Sequence, residues 1–277
     1  MIEWQLWQAG AIERQLHGIS PLLASWERSS HPAQVRLRAY LDKLICQLLP
    51  LSEDGPLFLR LDVDVQDAQR LLRHYDLENY LTPLFGSRYL PSARFALVAA
   101  RKYVGGGSRI AWGKAVPATP IDEESWLSFS INAGRGASHK SWKERIRSAL
   151  AASEPDIIPP GPARVRLAWR CSSQRNWCTL WKPSGDAMGP VLDVANALRP
   201  YHLDDDRIVD LELHRIVENS LGHDVEVGMW WQAAPKAGMS GSELVAYWKR
   251  SQLIGSREGI QDSLRHAREI RLQAERR

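Results

Sequence analysis

The order of apolar and polar positions divides the chain into helical and extended stretches. Helical spacing comes first, over residues 3–27 and again in QVRLRAYLDKLICQLL (34–49), where Val35, Leu37, Leu41, Leu44, Ile45 and Leu48 form one apolar stripe. The period then shortens to two. PLFLRLDVDV (56–65) and RFALVAARKYV (94–104) read as strands, and Gly105, Gly106 and Gly107 turn the latter into SRIAWGKA (108–115), completing a hairpin. The segment 115–125 carries prolines and acidic residues without a period, as a linker does. Beyond it the pattern predicts a strand at 126–132, a helix at 141–152, a strand at 163–170 and a helix at 187–198. Strands at 207–217 and 223–231 follow, and from Ser240 onward the spacing is helical again.

The two stretches share one order: helix, Pro-bearing loop, strand, polar loop, short helix, strand, Gly turn, strand. PLFLRL at 56 matches PARVRL at 162, and YLPSARFALVAARK (89–102) matches HLDDDRIVDLELHR (202–215), so the offset drifts only from 106 to 113 residues. Agreement in order, spacing and shared Leu and Arg positions predicts a tandem duplication of one α/β unit about a pseudo-two-fold axis. The expected plan is an N-terminal helix plus first unit at 1–115, a linker at 116–125, a second unit at 126–235 and a basic C-terminal helix at 236–277.

Composition narrows the class of protein. No run of eighteen apolar residues occurs and the start carries Glu3, Glu13 and Arg14, which predicts a cytoplasmic chain without a membrane span or secretion signal. Cys46, Cys171 and Cys178 are too few and too unevenly spaced for a disulfide framework or a metal finger. Lys plus Arg exceed Asp plus Glu by 36 to 32, which permits a polyanionic partner without requiring one. Five of the twelve tryptophans (Trp112, Trp169, Trp181, Trp230, Trp231) fall in or beside the extended segments, where they serve either as core or as stacking platforms for bases.

The acidic residues are the candidates for chemistry. In DLENYLTPLF (76–85), Asp76 and Glu78 are two positions apart; on a strand both would face one divalent cation, and before a helix Asp76 would be a cap. In the second unit, Asp186 precedes the helix at 187–198 and the run Asp204, Asp205, Asp206 precedes a strand. Carboxylates at neighbouring strand ends are how magnesium-dependent phosphodiester cleavage is built. Exposed cations suited to nucleic-acid phosphates are Lys140 just before one predicted helix, Lys143 and Arg147 on it, and Lys102 on a strand, each reading equally as a solvated face. The terminal helices offer a surface for a protein partner or for self-association.

These residues resemble the RusA-type Holliday-junction resolvases, whose signature is D-x-D-N-x-x-K opening a helix and then D-D-x-x-V-V-D leading a strand. DLENY (76–80) is similar to the first half, LDDDRIVD (203–210) to the second, and LDVANAL (192–198) to the helix between them. On this alignment Thr82 replaces the Lys and Pro91-Ser92 the Asp pair in the first unit. In the second, Asp186 stands at the second Asp and Asp204 and Asp205 at the pair, while Ser184 and Ala187 replace the first Asp and the Asn. The resemblance implies a dimer-like α/β fold and binding of branched DNA. It also implies Mg²⁺- or Mn²⁺-dependent cleavage centred on the second unit, with Asp186, Asp205, Asp76 and Glu78 as metal ligands and Asp204 in support. Lys182 or Arg207 would supply the cation for the phosphate. The alternative it leaves open is an inactive DNA-binding or assembly subunit.

Overall fold

The computed structural model describes residues 3–24, 27–48, 54–65, 76–85, 90–104, 107–118, 126–135, 139–158, 161–192 and 205–234. Within these the chain forms one mixed eight-stranded sheet with helices on one face. Its strands are β1 (Trp7–Gln15), β2 (Leu57–Asp64), β3 (Phe95–Tyr103), β4 (Arg109–Pro117), β5 (Leu127–Asn132), β6 (Ala163–Cys171), β7 (Ile208–Val217) and β8 (Glu226–Ala233). The helices are α1 (Pro32–Leu48), α2 (Glu78–Leu81), α3 (His139–Ala152), α4 (Trp181–Asp186) and α5 (Gly189–Leu192), supplemented by short 3₁₀ turns.

The strand order is β1-β4-β2-β3-β7-β6-β8-β5. Read inward from either edge, the halves have the same pairings: antiparallel β1 with β4 and β5 with β8, antiparallel β4 with β2 and β8 with β6, parallel β2 with β3 and β6 with β7. Both parallel pairs slip after their first residues. Leu57 faces Phe95 and Phe58 then faces Leu97; Ala163 faces Ile208 and Arg164 then faces Asp210. Antiparallel β3 and β7 join the halves, with Ala99 opposite Glu212. The two halves of the chain therefore share one sheet, where the sequence led us to expect two units with a small sheet in each.

One expected element is replaced. The helix predicted over 3–27 is instead an extended arm and the edge strand β1, because β4 offers it an open edge. Gly10 permits the approach: a Cβ there would lie 2.6 Å from the Lys114 carbonyl oxygen. The 141–152 helix forms, starting two residues early as α3. The C-terminal helix expected over 236–277, most of the linker and the end of the 187–198 helix lie outside the described residues. No described helix is long and apolar enough to cross a membrane.

Leu37, Leu41, Leu44 and Leu48 of α1 recur on one face and are buried, whereas Val35 is 49% exposed. On the sheet's helix side, apolar residues of both halves form one continuous core. The tryptophans named above are core: Trp112, Trp169, Trp181, Trp230 and Trp231 are all buried. A chain of ring contacts runs between the halves, from Phe95 through Phe85 (5.3 Å), Trp181 (5.2 Å) and Trp177 (5.0 Å) to Trp169 (5.8 Å). Trp177 is fully buried and its indole N–H donates to the Ser92 carbonyl of the other half at 2.9 Å. Trp177→Ala should cost about 3–5 kcal/mol. Because the core is shared, denaturant unfolding followed by tryptophan fluorescence and by circular dichroism should give one coincident transition in both proteins.

Candidate acidic centre

Residues 76–79 form a tight turn. The Asp76 carboxylate accepts the Glu78 backbone N–H (2.9 Å) and the Asn79 amide (3.1 Å), and its carbonyl accepts the Asn79 N–H (3.1 Å). Asp76 thus caps a helical turn, as one of its two readings anticipated, and the pair does not lie on an extended strand. The turn at 176–179 has the same bonds: the Asn176 side chain accepts the Cys178 N–H (3.3 Å) and its carbonyl the Thr179 N–H (3.3 Å). DLENYLT (76–82) and NWCTLWK (176–182) therefore correspond position by position, placing Lys182 where the first turn has Thr82.

The cap turn of the second half packs against the short 3₁₀ turn before the inner strand of the first half. Asn176 and Trp177 meet Ser92, 3.4 Å separating the Ser92 hydroxyl from the Asn176 side-chain oxygen. Asp76 and Glu78 in turn feel the charge of Asp205. α4 adds Lys182 and Asp186, bonded at 3.2 Å, with Lys182 also 4.0 Å from Glu78. Lys143 of α3 reaches Asp186 at 3.1 Å. Of the sequence-predicted residues, Asp76, Glu78, Asp186, Asp205, Lys182 and Lys143 thus gather at one centre drawn from both halves; Asp204 lies outside the described residues.

The electrostatics of this centre are strained. Burial, then the negative charges of Asp76, Asp186 and Asp205, push Glu78 up to about 8 despite Lys182. Asp205 is pushed up to about 7 by burial and by Asp76, again opposed by Lys182. Asp76 is raised by burial. Lys182 is raised: burial disfavours its charge, but Glu78 and Asp186 outweigh that.

No protein-family model matches the chain, and no curated protein does.

Two predicted cation sites need correction. Arg207 is buried, its guanidinium donating to the carbonyls of Gly161 (2.9 Å), Leu192 (3.2 Å) and Ile158 (3.2 Å), so it holds loops together and presents no charge to a strand of nucleic acid. Lys102 is likewise buried, its ammonium donating to the Asp206 carbonyl. Lys140 is exposed and Arg147 half-buried on α3. Ser184, aligned from sequence with the first Asp of the motif, is buried and accepts the Trp169 indole N–H at 3.1 Å, which makes it a core contact. The correspondence of 176–182 with 76–82 was missed, although the spacing of Asn176, Thr179 and Lys182 was its signal.

Among the described residues no three His, Cys, Asp or Glu side chains form a ready-made metal cage. The donor set is nonetheless all carboxylate oxygen, which suits Mg²⁺ or Mn²⁺, and a divalent ion would offset the burial and the neighbouring carboxylates that raise Glu78 and Asp205.

A raised carboxyl takes up protons on folding, so its contribution is fully present below its unfolded value and is lost as pH rises through the folded one. The window set by Glu78 and Asp205 runs from about pH 4 to 8. In metal-free buffer the melting temperature should fall from pH 5 to pH 8, and Glu78→Gln should flatten most of that fall, worth on the order of a few kcal/mol. An unchanged slope in the variant would show that the pH dependence arises elsewhere.

Proposed function

We propose that this chain is a fused pair of RusA-type units, related by a pseudo-two-fold axis, that binds branched DNA and cleaves it at a single centre shared between the units. Three features support the duplication: the repeated pairings, the repeated slip in both parallel pairs, and the placement of Ala99 opposite Glu212, its own counterpart 113 positions on. The observation that carries the function is complementarity across the seam. The first unit supplies Asp76 and Glu78; the second supplies Asp205 and Lys182. At the counterpart position stand Asn176, Cys178 and Ser92, none of them a carboxylate, and the counterpart of Lys182 is Thr82. On this reading one of two ancestral sites keeps its charges and the other has lost them.

Asp76, Glu78 and Asp205 would hold Mg²⁺ or Mn²⁺. Such an ion, when bound, lowers the pKa of a water and offsets charge developing on the phosphate. Lys182 lies beside Glu78 and Asp186 and is exposed, and on this reading it would meet the incoming phosphate. Asp186 and Lys143 hold that ammonium's surroundings at fixed distances.

Nicking of a four-way junction by the full chain with Mg²⁺ or Mn²⁺ is the expected result. Asp205→Asn should lower the rate at least about a hundred-fold while leaving salt-sensitive junction binding unchanged. Because Lys182 already partly neutralises the carboxylates, the second reading is a DNA-binding or assembly subunit without the chemistry. Binding without cleavage under either metal would establish it, and absence of DNA binding at low salt would sink both.

A further inference from the structure

The sheet face turned away from the helices carries a second feature that the acidic centre does not use. Residues Trp4–Ala9 cross it as an arm from the first half onto the second. The arm is anchored by the Trp7 indole N–H on the Arg215 carbonyl (2.9 Å), by the Trp7 backbone N–H on His214 Nδ1 (3.2 Å), and by Trp4 packed edge-on against Trp230 at 5.6 Å. Between the arm and Trp126 lies a cleft of about 380 Å³, within the size range of small-molecule sites. Its floor is the small side chain of Ala99 at the centre of the seam.

Four arginines line it: Arg60, Arg101, Arg164 and Arg166. Three of these share two carboxylates, Arg101 with both Asp210 (3.2 Å) and Glu212 (3.8 Å), Arg164 with Asp210 (3.2 Å) and Arg166 with Glu212 (2.7 Å). That group therefore keeps a net positive charge. Arg60 is paired with Glu13 and Asp62. The ion pairs of Arg101 and Arg166 run through Nε and Nη2, two of the three nitrogens of a guanidinium that has five N–H groups. Arg164 and Arg166 also lie over the Trp126 ring, at 5.5 and 4.8 Å. Carboxylates and ring hold the guanidiniums in place before any ligand arrives, so little ordering is left to be done on binding.

Preset guanidiniums recognise phosphate oxygens, and indole walls favour a flat ring. We infer that this cleft binds a small phosphate ester bearing a planar ring, of nucleotide size. The arm and Trp126 bound it on both sides, which suits a small molecule better than a duplex. The site lies on the face opposite the acidic centre and stands or falls independently of the cleavage reading.

Isothermal titration of the full chain with adenosine monophosphate should show one saturable site. Adenosine alone and inorganic phosphate alone should each bind at least about ten-fold more weakly. Ala99→Leu, which fills the floor without removing an ion pair, should abolish the binding and leave four-way-junction binding and the melting curve unchanged. Trp126→Leu, outside the seam, should weaken it about ten-fold, so the inference remains testable if Ala99→Leu fails to fold. No heat at millimolar nucleotide, or equal affinity in wild type and both variants, overturns the inference. So does displacement of the nucleotide by ten-residue oligothymidylate at ten-fold lower concentration, which would make the cleft a single-strand site.

Discussion

The antiparallel contact between β3 and β7 is the constraint on which the rest depends. Each half ends at this strand, and an isolated half would leave a long, largely apolar strand with unpaired backbone groups. Joining the two edges removes that liability and makes one core of two. The seam is held from both directions in the same manner: Lys102 near the end of β3 donates to the carbonyl of Asp206, just before β7, and Arg215 in β7 donates to the carbonyl of Ala93, just before β3. Two buried cations therefore hold the turn that precedes the opposite strand, and so position whatever that turn carries.

That arrangement explains why the acidic centre lies between halves and not within one. The turn before β7 brings Asp205, the cap turn at 76–79 brings Asp76 and Glu78, and α4 brings Lys182. No single unit has this set. Gathering one buried and two half-buried carboxyls with one lysine works against folding, since Glu78 is pushed up to about 8 and Asp205 to about 7 by desolvation and then by neighbouring carboxylates. Perturbation of this kind, in groups drawn from distant parts of a chain, is more common at sites of function than in structural ion pairs.

Most strands were legible because burial on one or both faces leaves a plain record, as in LFLRLDVD and ARVRLAWRC. The carboxylates were identifiable by type. Their grouping was misjudged, because a linear reading assigns residues to one stretch of chain while the fold assembles the centre from both halves. Ser184 and Asp186 looked like the counterparts of Asp76 and Glu78, whereas hydrogen bonding gives that place to Asn176 and Cys178. Arg207 and Lys102 looked like surface cations because sequence does not reveal that three carbonyls, or a seam, await them. The N-terminal arm was misread as a helix because its partner edge lies about a hundred residues away.

The arm also bears on the order in which the molecule is made. Residue 7 bonds to residues 214 and 215, closing a loop of 207 residues, the sort of distant contact that slows folding through the entropy of closure. It leaves the ribosome before the second half and can dock only after β7 has been synthesised and paired. A segment made well before its partner strand is thus fixed late, and its docking reports that the second half has arrived in register.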